Sequence, residues 1–199
     1  MRVNPAYIQW IGDLIIPVLG FIFWDWSLYF ILLFILLDMI TKEVIMHAKA
    51  YQVVKLHPDG KRHWFKKSAV STVFFVSFLL LVHVAVLEVF PTLVFTDEWW
   101  RFWTYEDLGI QQGYVLFPLL AVSGYMQFKQ SFVLTNMAAK LTMSELWSPQ
   151  IKLNVWRVLA ASTWIGVARF IYLDESVWIG IVLGVVAVYQ WIALFRQPS

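Results

Sequence analysis

The segment SAVSTVFFVSFLLLVHVAVL, Ser68–Leu87, runs for 20 residues without an Asp, Glu, Lys or Arg. As a helix rising ~1.5 Å per residue it would extend ~30 Å, the thickness of a bilayer's hydrocarbon core. Residues 108–128 and 176–195 are free of charge over a similar length. Three further apolar stretches carry ionisable groups: 6–23 holds Asp13, 27–47 holds Asp38 and Lys42, and 153–173 holds Arg157 and Arg169. Six helices are therefore expected, with spans near 6–23, 27–47, 68–95, 108–128, 153–173 and 176–195.

The loops support that count. The 48–67 connection carries Lys49, Lys55, Lys61, Arg62, Lys66 and Lys67, and the 129–152 connection carries Lys129, Lys140 and Lys152. The alternate connections hold Asp25, then Asp97, Glu98, Glu106 and Asp107, then Asp174 and Glu175, with Arg101 the single base. Basic and acidic loops alternate throughout, and basic loops stay in the cytoplasm. The expected architecture is one all-α domain, a six-helix bundle in the inner (cytoplasmic) membrane with both termini cytoplasmic. Unpaired backbone amides are costly in lipid, which favours helices over ~10-residue barrel strands.

Composition agrees. The 199 residues are 60% hydrophobic and only 14% charged, with a mean hydropathy of +0.68, whereas soluble domains are about a quarter charged. The absence of cysteine removes disulfides, thiolate metal sites, iron–sulfur ligation and cysteine nucleophiles. Asp13 and Pro17 interrupt the first apolar stretch and no small-residue cleavage site follows, so it reads as an uncleaved span.

Three pieces outside the spans have character. YQVVKLHPDGKRHWF, 51–65, places Pro-Asp-Gly between two strand-like runs and is expected to form a basic hairpin within 48–67. Lys55, Lys61, Arg62, Lys66 and Lys67 would face anionic headgroups there, or a membrane-complex partner. The outer loop 96–107, with Thr96 as a cap and Trp99, Trp100 and Trp103, reads as an interfacial helix. Residues 131–147 are expected to form an amphipathic helix ending before Pro149.

The charges inside the spans are the candidate site. Asp13 falls ~12 Å above the inner end of helix 1 and Asp38 ~13 Å above that of helix 2. Arg157 starts ~8 Å up helix 5 and can reach their level. An unpaired charge at that depth is expensive, so an Asp13–Asp38–Arg157 cluster is expected, with Lys42 one turn below Asp38. It would serve as an ion relay or substrate counter-charge, or as an ion-pair network fixing helix packing. Toward the outer side, His83, Glu88 and Arg169 share a level. His83 either gates a pathway or is a neutral imidazole bonded to a neighbour, with Glu88 and Arg169 paired.

Glu43 and His47 stand four apart and are expected at the cytoplasmic headgroups. With His57 and His63 nearby they could be considered for a metal, but no ligand spacing supports one. His47 and His83 lie on opposite sides and cannot clamp one haem. Trp24, Trp26, Trp99, Trp100, Trp103 and Trp178 could suggest a quinone or sugar site, but read better as an interfacial aromatic belt. No His-Glu-x-x-His is present, AVSG at 121–124 lacks the first glycine of a rhomboid-type serine motif, and Asp13 and Asp38 lack a Gly-x-Gly-Asp context.

Asp13, Pro17, Gly20, Trp26 and Asp38 give the opening hairpin a pattern that resembles an uncharacterised family of small bacterial and archaeal integral membrane proteins, a domain of unknown function. Members place a polar residue, Pro, Gly and Trp at fixed steps before a carboxylate in helix 2, and His83 falls where they carry a helix-3 histidine. The family has Asn at the place of Asp13 and Tyr-Trp-x-Glu where this chain reads ILLD. The resemblance implies a polar feature on helices 1 and 2 and no activity.

The functional expectation is a small channel or secondary transporter for an ion or small solute, able to form homo-oligomers, using the Asp/Asp/Arg cluster. Pro17, Gly166, Gly180 and Gly184 would permit its kinks and close helix approaches. One alternative is a non-catalytic subunit or assembly factor of a membrane complex. Another is an intramembrane enzyme using the carboxylate pair. No cofactor and no nucleic-acid partner are expected.

Overall fold

The structure, a computed structural model, describes residues 5–57, 61–104, 106–107 and 110–195, with side chains over 14–57, 64–104 and 113–188. The described chain is all-α: α1 (Pro5–Phe23), α2 (Leu28–Leu56), α3 (Lys61–Val89), α4 (Phe95–Thr104), α5 (Gln112–Phe128), α6 (Met143–Phe170) and α7 (Glu175–Phe195). One helix among the described residues, over Trp64–Val89, is long and apolar enough by itself to cross a membrane. Charges at Asp38, Lys42, Glu43 and Arg157 break the apolar runs of α2 and α6.

The helices fall into two compact units, 1–35 with 95–113 and 173–199, and 36–94 with 114–172. In the first, α1 packs with α7. The carbonyl of Gly20 accepts the amides of Trp24 and Trp26, both at 3.1 Å, and Asp25 takes the left-handed conformation that closes the turn. A Cβ on Gly20 would lie 2.2 Å from the Trp26 ring, so only glycine lets that indole lie flat on α1. Trp26 then stacks toward Phe30 at 4.5 Å, and Phe30 toward Phe102 of α4 at 4.8 Å. Ser27 caps α2 by accepting the Phe30 amide, and Glu175 accepts the exposed Leu28 amide at 2.7 Å. Trp26 and Trp178, expected in an aromatic belt, are instead core residues at 3% exposure, whereas Trp100 is 62% exposed.

In the second unit, α3 and α6 pack along a shared seam. Positions 64, 68, 71, 75, 78, 82 and 85 of α3 recur at alternating steps of four and three, as do 143, 147, 150, 154, 157, 161, 164 and 168 of α6. All are buried or half-buried, the spacing of a coiled-coil seam. The cross-links Ser71–Asn154 and Glu88–Arg169 ascend together, so α3 and α6 run parallel. Those from α2, His47–Ser68 and Glu43–Ser71, run the other way. A Cβ on Gly124 of α5 would lie 2.6 Å from Ile45 Cδ1, a close approach to α2. The same does not hold at Gly166, Gly180 and Gly184, where a Cβ would meet nothing within 4 Å.

Two local expectations are overturned. The basic hairpin at 51–65 is absent: 51–56 and 61–65 are helical, and the turn at 58–60 lies outside the described residues. Met46, Ala50, Val53 and Val54 present one helical face to a core of Phe132, Met143, Leu146 and Trp147, which overrides the β-branched run. Nor is 131–147 one helix. A π-turn (Lys129–Val133) and a 3-10 turn (Met137–Ala139), the second capped at its start by left-handed Asn136, precede α6. Pro149 lies inside α6. Thr96, expected as a cap, is already helical, since α4 begins at Phe95. A two-residue ladder, β1 (Glu106–Asp107) with β2 (Ile110–Gln111), closes the loop before α5.

α6 opens on a capping box. Thr142 Oγ1 accepts the Glu145 amide, while the Glu145 carboxylate accepts the Thr142 amide at 2.8 Å and its hydroxyl at 2.8 Å. These two bonds, the backbone one foremost, hold the Glu145 carboxyl below the usual range. A depressed folded value stabilises above the unfolded pKa and is lost as pH falls through the folded one. Thr142→Ala should lower stability by about 1 kcal/mol. Glu145→Gln should flatten the decline in thermal midpoint between about pH 5 and pH 3. Unfolding scans at both pH values check this.

Candidate functional site

The site is a polar layer in the second unit, built from α2, α3 and α6. Glu43 of α2 is 5% exposed, and Ser71 of α3 and Asn154 of α6 are 0% exposed. Ser71 and Asn154 occupy seam positions on α3 and α6, and the glutamate reaches them from α2.

The orientation of the hydrogens along the chain from Arg157 to Glu43 follows from one cation. Arg157 has donors only, and its Nη1 lies 2.8 Å from Asn154 Oδ1. The Asn154 amide must therefore turn Nδ2 to Ser71, where it donates to Oγ at 2.9 Å and to the carbonyl at 3.3 Å. Ser71 Oγ, having accepted, donates its one proton to Glu43 Oε1 at 2.9 Å. Gln150 Nε2 donates to Glu43 Oε2 at 2.5 Å, and Asn154 Nδ2 sits 3.4 Å from Oε1. A guanidinium and a carboxylate are thus linked by an amide and a hydroxyl whose dipoles all point one way. Hydrogen bonds to a charged group contribute roughly 1.5–3 kcal/mol each, against a burial penalty of several kcal/mol for the ion, so each donor matters.

One edge of the layer opens outward. His47, a helical turn from Glu43, places Nε2 4.0 Å from Glu43 Oε1 and is 32% exposed at its side chain. Its Nδ1 shares a 2.9 Å bond with Ser68, its Nε2 a 3.4 Å contact with Thr72, and its ring meets Trp147 edge-on at 5.1 Å. On the next turn, burial pushes the Lys49 ammonium below its ordinary range, where it sits 5.7 Å over the Phe132 ring. Carboxylate, imidazole, hydroxyls and two amides at this spacing can exchange a proton or bind a small cation. Arg157 fixes the Asn154 amide with its nitrogen toward the carboxylate, whereas the Gln150 amide can present either oxygen or nitrogen at almost the same cost in space.

The sequence-derived candidates make the following contacts among the described residues. Asp38 pairs with Lys42 at 2.5 Å within α2. Arg157 bonds Asn154 and stands 5.9 Å over the Phe75 ring. The Asp13 side chain lies outside the described residues. His83 Nδ1 bonds the Leu79 carbonyl one turn back at 2.7 Å. Arg169 donates through Nε and Nη2 to Glu88 Oε1 at 2.9 and 2.7 Å, holding the upper ends of α3 and α6 together. Lys55 and Lys66 are exposed, Lys67 donates to Ser144 at 3.0 Å, and the side chains of Lys61 and Arg62 lie outside the described residues.

Glu43 is the correction with most consequence. Expected to face headgroups, it is among the most buried ionisable groups, because α2 continues past 47 as helix and carries it against α3 and α6. No group of three metal-ligating residues occurs among the described residues. Ser71, Gln150 and Asn154 escaped notice because uncharged residues do not interrupt an apolar run. The signal that exposes them is the recurrence of polar residues at steps of three and four along two helical seams, Ser68 and Ser71 on α3 and Gln150, Asn154 and Arg157 on α6. Compared with known proteins, the chain matches no family model, no curated protein and no solved structure.

Proposed function

We propose that this chain is a six-span protein of the cytoplasmic membrane that moves an ion or small solute, with Glu43 rather than an Asp13–Asp38–Arg157 cluster at the centre of its polar pathway. The observation that carries the reading is a carboxylate at 5% exposure, held by neutral donors from two other helices, one turn from the partly exposed His47. An ionisable group in such a setting is expensive to keep and is functional by default. Asp38 lies on the same helix between one and two turns toward the outer side, paired with Lys42, the residue that precedes Glu43. Arg157 tunes the carboxylate through Asn154.

The six-span reading draws support from three features. Six helices have 17 to 29 residues, whereas α4 has 10 and is amphipathic, suited to an interface. The parallel course of α3 and α6 is what a membrane topology with α5 between them requires. Large apolar side chains also face outward, among them Val73, Val76, Leu80, Val84 and Leu87 on α3. The cationic ends of α2 and α3 then lie in the cytoplasm, where Lys55, Lys61, Arg62, Lys66 and Lys67 meet anionic lipid. The resemblance of the first hairpin belongs to this proposal, with Gly20 seating Trp26 as its structural content.

A non-catalytic subunit or assembly factor is the second reading, favoured by the saturation of Glu43 with donors, since a packing network need only be satisfied. Flux separates the two. Liposomes containing the purified protein should pass protons or a monovalent cation, Glu43→Gln should fall to the level of empty liposomes, and Asp38→Asn should retain flux. Wild-type protein that conducts nothing, and purifies with a stoichiometric partner, would favour the subunit and sink the transporter.

A further inference from the structure

The first unit contains a cavity that the polar layer does not touch. It has a volume of about 330 Å³ and is lined by Tyr29 at the start of α2 and by Phe95, Thr96, Trp99 and Trp100 of α4. It is a shallow depression open to the outside, suited to the head of a ligand rather than to enclosing one. Four of its five lining residues are aromatic, and their ring faces carry negative electrostatic potential. Tyr29 forms the floor at 2% exposure, its ring 5.2 Å from that of Phe95. Trp99 and Trp100 line it at 39% and 62% exposure.

The charge around the cavity has one sign in excess. Glu98 is held at 3.3 Å by the Ser27 hydroxyl, the residue preceding α2, and acts electrostatically on Tyr29. Glu175 bonds the Leu28 amide next to Tyr29, and Asp97 adds a further charge on α4. Against these stands Arg101, half-exposed and only loosely paired with Glu98 at 3.7 Å. An anion would be repelled here, and a neutral apolar ligand would gain nothing from the carboxylates. An aromatic belt explains exposed indoles, but it does not require a buried tyrosine floor beside a tethered glutamate.

We propose that this cavity binds an organic ammonium group, the head of an amine-bearing lipid or a free quaternary amine, over the rings of Tyr29, Phe95, Trp99 and Trp100 with Glu98 as counter-charge. The inference does not depend on the transport reading.

The test titrates the purified full-length chain by calorimetry with choline and with its uncharged isostere, dimethylbutanol. In parallel, the lipid retained through purification from mixed ethanolamine and glycerol phospholipids is counted. Choline should bind and the isostere should not, or ethanolamine lipid should be retained selectively. The first outcome identifies a solution ligand and the second a lipid head. In either arm Trp100→Ala should weaken binding by at least about threefold, with Trp100→Phe recovering part of it and Glu98→Gln weakening it again. Trp100 is exposed enough that its removal spares the fold, which a thermal scan verifies. Equal binding of choline and isostere, indifference to Trp100→Ala, or no amine bound from either source would overturn the proposal.

Discussion

Replacing Trp147 with alanine should lower the free energy of unfolding by about 3–5 kcal/mol, the cost of emptying a large buried aromatic site. Trp147 is 0% exposed and lies in the cluster of Ala50, Val53, Phe132, Met143 and Leu146, with Trp64 and Met46 packed against it. It joins α2, α3, α6 and the π-turn, so no single element can shift to fill the space. Its indole N–H finds no acceptor among the described residues. Trp147→Phe should therefore cost far less than alanine, because lost contact area is offset by removing an unsatisfied donor. Unfolding midpoints by far-ultraviolet circular dichroism distinguish the two. A near-equal loss for both variants would mean that the indole edge, not its volume, holds this end of the unit. His47 packs edge-on against the same ring, so alanine should also loosen the open edge of the polar layer.

How much of this could be read from the residues depends on which signal they emit. Long apolar runs bounded by charge locate the six long helices among the described residues, and the boundaries at 5–23 and 175–195 agree closely, because an apolar run and a helix end at the same polar residues. The short α4 was legible from its acidic first turn and clustered indoles. The failures share a cause. At 51–56, Gln52, Val53 and Val54 suggest a strand by composition, yet the step from Met46 to Ala50 to Val53 is helical, and tertiary burial follows the step. At Glu43, charge suggests exposure, which holds for isolated groups but not where neighbouring helices supply neutral donors. Asp38 and Arg157 are legible because they are charged, and Asp38 meets Lys42 one turn on in its own helix. Arg157 matters through Asn154, a residue with no distinguishing composition at all. The information was present as spacing: Ser68 and Ser71 on one seam, Gln150, Asn154 and Arg157 on another. Neither seam can be seen without reading each helix as a face.

That spacing makes Asn154 the residue on which the polar layer depends most. Asn154→Leu should destabilise the protein by about 3–5 kcal/mol, because it strands a buried carboxylate from a guanidinium and leaves Ser71 without its donor. The larger leucine surface does not compensate, since the penalty arises from Glu43 and Arg157 keeping their charges with fewer partners. Replacing the centre, Glu43→Leu with Ser71→Ala and Asn154→Leu, removes the buried carboxylate along with its donors, leaves only the Arg157 guanidinium with one acceptor fewer, and should recover part of the loss. Unfolding free energies for the single and triple variants decide this. If the single substitution costs under about 1 kcal/mol, the chain of donors from Arg157 to Glu43 is not the energetic unit described here. The triple variant then separates structure from activity. A protein that is stable, folded and silent in the liposome assay would show that an apolar seam suffices to hold α2, α3 and α6 together. The carboxylate would then be retained for what it carries rather than for what it fastens.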